Sequence, residues 1–143
     1  MYTPLLCLLG FVLWTLLIIV FGVAASRLAA VIHGEVPKGG FIADTPQGSP
    51  RYRRIMRAHM NCVENLPLFA AVVLTGAVIK AGSPLMDTLA LTYLGARVLQ
   101  TTFHISSGGP LAVALRFTCF LAQMLCLTGM GVLVWRVLEA RVV

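Results

Sequence analysis

Four apolar runs take up most of the chain, at about 5–25, 55–79, 84–105 and 111–138. Each approaches or exceeds the roughly 20 residues that an α-helix needs to cross about 30 Å of hydrocarbon. Polar breaks separate them: a long connection at 27–54, then Lys80, Gly82 and Ser83, then Ser106, Ser107, Gly108 and Gly109. Backbone polar groups in lipid must be paired within their own segment, so the pattern predicts an all-α polytopic membrane protein. Its expected form is a four-helix bundle, one domain spanning 1–143. The two short breaks predict antiparallel hairpins, with Pro84 at the first position of the third helix. Pro67 falls inside the second run and predicts a kink there.

Composition agrees with the pattern. The 143 residues are 59% hydrophobic and 11% charged, with a mean hydropathy of +0.91, well outside the soluble range. Four helices leave no room for a soluble domain, so any chemistry must come from helix side chains and loops. The first run is expected to be a retained span, not a signal peptide. No Lys or Arg precedes it, and about 21 residues exceed a hydrophobic region of about 7–15. Cys7, Cys62, Cys119 and Cys126 all lie in apolar runs without metal-ligand spacing, so neither metal nor disulfide is expected.

The net charge of +6 is concentrated by loop, which argues against nucleic-acid binding. Arg27, Lys38, Arg51, Arg53 and Arg54 face only Glu35 and Asp44 in the 27–54 connection. The positive-inside rule makes that loop cytoplasmic, with both termini across the bilayer. A short multi-pass chain of this kind fits a bacterial inner membrane. The loop is rich in Gly and Pro between 34 and 50, able to lie over a site at the cytoplasmic edge.

Polar residues inside the spans fall at helical spacing. Arg57, Asn61 and Glu64 follow i, i+4, i+7; Arg97, Gln100, Thr101 and His104 follow i, i+3, i+4, i+7; Arg116 and Gln123 are seven apart. One reading is mutual satisfaction, with Glu64 against Arg97 and Asn61 against Gln100. The other is a ligand. Three arginines outnumber the single glutamate on these faces, and unpaired buried cations are costly, which calls for an anion. A small peptide-like molecule with two carboxylates and one ammonium matches this charge pattern, and glutathione is such a molecule; a lipid headgroup or a phosphorylated metabolite would also meet the arginines. His59, two residues from Arg57, points to another face and reads as packing or subunit contact.

The stretch R-I-M-R-A-H-M-N-C-V-E-N-L-P-L-F at 54–69 resembles the signature of the MAPEG proteins, membrane-associated proteins in eicosanoid and glutathione metabolism. G-A-R-V-L-Q-T-T-F-H at 95–104 is a second match. The resemblance implies a microsomal glutathione transferase-like homotrimer binding glutathione as co-substrate between neighbouring subunits, at the cytoplasmic end. Carried over by position, Arg57, Asn61, Glu64, Arg97, Gln100, His104 and Arg27 would bind glutathione. Arg116 would stand beside its sulfur as the catalytic arginine. Tyrosines are common in the family where Gln100 and His104 stand. Asn65, where leukotriene synthases have tyrosine, argues against a specialised leukotriene enzyme.

The resulting expectation is an enzyme that joins glutathione to hydrophobic electrophiles or uses it to reduce lipid hydroperoxides, its second substrate entering from membrane lipid. Two other classes stay open. Glu64 alone could carry a proton or cation in a small transporter, and the replaced tyrosines would suit a non-catalytic binding or scaffold protein on the same fold.

Overall fold

A computed structural model describes residues 2–37, 39–42 and 48–142. Helix α1 (Thr3–Leu17) passes without a break through a π-helical stretch, Ile18–Ala24, into α2 (Ala25–Ile32). Then follow α3 (Pro50–Val78), α4 (Pro84–Ser106) and α5 (Pro110–Val142), and no strand occurs among the described residues. The fold is all-α, as the hydropathy pattern predicts.

Local chemistry sets the helix ends. Ser49 and Ser83 cap α3 and α4, each hydroxyl accepting from the backbone N–H three residues on, with proline at the next position. The α1–α2 rod ends where Gly34, at φ +70°, donates to the Val31 carbonyl while Glu35 donates to Ala30. Helix α3 ends with the same pair of reversed bonds, Lys80 to Ala77 and Ala81 to Gly76, but with lysine at φ +56°. This is the Schellman closure, and a side chain there is strained where glycine is not.

The first helix extends seven residues beyond the apolar run that announced it, so Arg27 lies within the helix and not after it. Hydropathy locates the end of the lipid-facing stretch, whereas the helix continues through Arg27–Ile32 until a residue at positive φ stops it. Helix α3 likewise begins five residues before its apolar run and continues through Pro67. At the π-helical stretch Ser26 Oγ donates to the Gly22 carbonyl (2.5 Å). Gly22 itself lies against Ile55, where a Cβ would meet Cγ2 at 2.7 Å, so α3 crosses closely there.

Three of the helical rods are long and apolar enough to cross a membrane: Thr3–Ile32, Pro50–Val78 and Pro110–Arg141. Helix α4 carries Asp87 and Arg97 and falls short by composition, although its 23 residues give a length of about 35 Å. Its position explains this. It packs against α1, α3 and α5, so its polar side chains can be spent inward without meeting lipid. The centre of the bundle is aromatic: Phe69 and Tyr93 stack at 4.2 Å, and Phe11 tilts against both at 6.1 Å. The leucines Leu6, Leu9, Leu13 and Leu16 of α1 remain outside, on the surface a bilayer would cover.

Candidate functional site

The spaced polar residues end on two different sides of the bundle. On α4 they point inward: Arg97, Gln100 and Thr101 are 1, 8 and 3% exposed, on the face that also buries Met86, Ala90 and Tyr93. Arg97 Nη1 donates to Gln100 Oε1 (2.8 Å) and to the Asn61 carbonyl (3.4 Å). Gln100 Nε2 donates to the Arg116 carbonyl (3.3 Å). Gln123, fully buried on α5, donates to Gln100 Oε1 (3.1 Å) and to the Cys119 carbonyl (2.9 Å). Thr101 donates to the Arg97 carbonyl and lies 3.7 Å from the Cys62 sulfur. The Arg97 guanidinium also covers the Phe11 ring, 5.4 Å from its centroid, in cation–π contact. A polar ladder thus ties the Asn61 turn of α3 to the Arg116 turn of α5.

On α3 the geometry is reversed. Its buried face is Ile55, Ala58, Cys62, Phe69 and Val73. At 3.6 residues per turn, Arg57 and Glu64 point roughly 130–150° away from that face, with Asn61 at its edge. Arg57 and Glu64 are accordingly exposed and Asn61 half-buried. Among the described residues neither Arg57 nor Glu64 has a hydrogen bond or an ion pair. Glu64 does not pair with Arg97, nor the Asn61 side chain with Gln100; the arginine reaches the Asn61 backbone instead. That carbonyl also accepts from Asn65 Nδ2 (2.8 Å), two residues before Pro67.

The end of this face nearest the start of α3 is cationic. His104, half-buried near the end of α4, has Arg116, Arg57 and Arg54 as its charged neighbours. Arg54 is fixed there by a bond from Nε to the Ile105 carbonyl (3.2 Å). The structure therefore gathers Arg57, His104 and Arg116 from three helices, with Asn61 and Glu64 one and two turns deeper along α3. It places Arg97 and Gln100 behind that surface, as its support. Arg27 stands apart from the group within one protomer: Nε donates to the Tyr52 hydroxyl (2.7 Å), and the guanidinium lies 5.2 Å from the Phe41 centroid.

Two residues gain weight that sequence reasoning did not give them. Arg54 was grouped with the basic loop, although it lies three before Arg57 and seven before Asn61, a spacing that could have placed it on the same face. Gln123 was noted only for its distance from Arg116, and its bond to Gln100 depends on how α4 and α5 pack.

An outward face with guanidinium groups at one end and a carboxylate further in can hold a small molecule bearing both carboxylates and an ammonium. Together with four helical rods among the described residues, three of them both long and apolar enough to cross a membrane, this defines an integral membrane protein of the helical-bundle class. The sequence model of the MAPEG family matches residues 4–135, and the chain belongs to that family, which includes glutathione transferases and peroxidases. No curated protein matches the chain.

Proposed function

We propose that the chain is a glutathione-dependent membrane enzyme of the microsomal glutathione transferase type, working as a homotrimer with the 27–54 loop in the cytoplasm of a bacterial inner membrane. The observation that carries this is the unpaired, outward-facing Arg57 and Glu64 on a membrane-length helix. Charged groups at a span's centre cost about 2.5–3.5 kcal/mol each on insertion scales, and more when facing lipid. A neighbouring copy of the chain and a bound ligand together remove that cost. Arg57 takes a glutathione carboxylate, Glu64 its ammonium and Asn61 a peptide group. Arg97 and Gln100 hold the Asn61 and Arg116 turns at fixed separation, and His104 lines the anionic end. Arg27, on the rim of the first helix, closes the site from an adjoining subunit.

A free thiol with pKa about 8.5 is only a few per cent ionised at neutral pH. The Arg116 guanidinium, set beside the sulfur, favours the thiolate. In conjugation that thiolate forms a C–S bond while the electrophile's leaving group departs with its electron pair. In peroxide reduction it attacks the O–O bond, releasing an alcohol, and a second glutathione converts the sulfenic acid to disulfide and water. Calorimetry with glutathione on the detergent-purified protein tests the reading. Saturable binding is expected, weakened at least about tenfold by Glu64→Gln and by Arg57→Leu with assembly unchanged. Wild-type protein that binds no glutathione would refute it.

A further inference from the structure

An open cleft of about 490 Å³ lies away from the α3 polar face, between the α1–α2 rod, the segment that follows it and the first turns of α3. Its size is within the range of small-ligand sites, roughly 300–1,000 Å³. None of the residues assigned to glutathione lines it. Phe21, Ala25, Ala29 and Ile55 make one end apolar, and His33, Glu35 and Arg51 make the other polar. Phe21 and His33 are twelve positions apart on one rod, so the cleft runs about 18 Å along the helix axis. Phe21 is 75% exposed on the apolar stretch of the first rod, so the apolar end opens sideways from the bundle.

The polar end carries both signs of charge. Arg51 and Glu35 are exposed, and among the described residues neither has an ion-pair partner. Arg27 is close by, its guanidinium held between the Tyr52 hydroxyl and the Phe41 ring, and both of those residues line the cleft. Apolar at the membrane end, with a guanidinium and a carboxylate at the water end, the cleft complements an amphiphile whose head joins a phosphate to an ammonium.

We propose that this cleft binds one phospholipid with a phosphate–ammonium headgroup, the phosphate on Arg51, the ammonium on Glu35 and an acyl chain leaving past Phe21. None of its lining residues is assigned to glutathione, Arg27 bordering it through Tyr52 and Phe41, and the site is independent of whether the chain is an enzyme.

Native mass spectrometry of the assembled protein, exchanged into detergent with defined phospholipids, tests it. Wild type should retain one phosphatidylethanolamine per chain in preference to phosphatidylglycerol. Arg51→Gln and Glu35→Gln should each lower occupancy about fivefold or more, and Ala29→Trp, which fills the cleft, should abolish it; Ala30→Phe serves where the tryptophan variant cannot be purified. Glutathione binding, read in parallel by calorimetry, should be unchanged in all of them. Equal retention of both lipids, retention in the filled variant, or displacement of the lipid by glutathione would overturn the proposal. So would loss of assembly in a filled variant that is otherwise folded, since a second copy of the chain would then be the occupant.

Discussion

The inward ladder of α4 and α5 and the outward face of α3 are written in the same way in the sequence, as polar residues three, four and seven apart in apolar runs. They reach opposite ends. Arg97, Gln100 and Gln123 bond to one another and to the carbonyls of Asn61, Arg116 and Cys119, although Arg97 Nε and Nη2 and Gln123 Oε1 are buried without a partner among the described residues. The side chains of Arg57 and Glu64 bond to nothing among the described residues. Helical spacing tells which residues share a face; only packing tells whether that face is turned to the core or away from it. On the proposed reading, the difference separates residues that hold the fold from residues that bind a ligand.

The largest expected effect breaks the comparison at the junction of the two regions. Arg116 contributes its carbonyl to the ladder and its guanidinium to the cationic end, so the backbone contact survives side-chain replacement. Arg116→Leu should lower kcat for a hydrophobic electrophile about a hundredfold while glutathione still binds, the size expected when one charged donor is lost at a developing anion. Turnover at the wild-type rate would remove Arg116 from the chemistry.

Next in size is a change confined to the ladder. Gln123→Leu keeps the volume but strips Gln100 Oε1 and the Cys119 carbonyl of a donor in the bundle core. A loss of about 0.5–1.5 kcal/mol is expected, since Gln100 Oε1 keeps its bond from Arg97 and the change also removes the unpartnered Gln123 Oε1; it is read as a lower thermal midpoint in detergent. Glutathione affinity should change much less than in a Glu64 variant. The smallest effect lies at the far end of α3. Lys80→Gly relieves the positive φ of the Schellman closure and should raise stability by about 0.5–1 kcal/mol without touching affinity or rate. It separates general stability from function in the other two comparisons.

The fold was largely legible in the sequence because apolar length and proline or glycine punctuation are local signals. Pro50, Pro84 and Pro110 open their helices, and Gly34 closes the first rod. Helix ends were less legible where hydropathy and helix propensity part, which is how Arg27 came to be placed in a connection. By length the α4 run reads as a span like the other three; that it is less apolar than they are, and can carry Arg97 on an interior face because it meets three other helices, emerges only from the packing. Of the site, the shared face of Arg57, Asn61 and Glu64 could be read directly. The partners of Arg97 could not, because they are backbone carbonyls and side chains on other helices, set by packing and not by spacing.

The most direct measurement is glutathione affinity and thermal midpoint determined on the same preparations of wild type, Glu64→Gln and Gln123→Leu. The account predicts that Glu64→Gln loses at least about tenfold in affinity at an unchanged midpoint, while Gln123→Leu loses midpoint and keeps most of its affinity. A Glu64→Gln protein that binds glutathione like wild type but unfolds earlier would contradict it, and would return the outward face of α3 to a structural role.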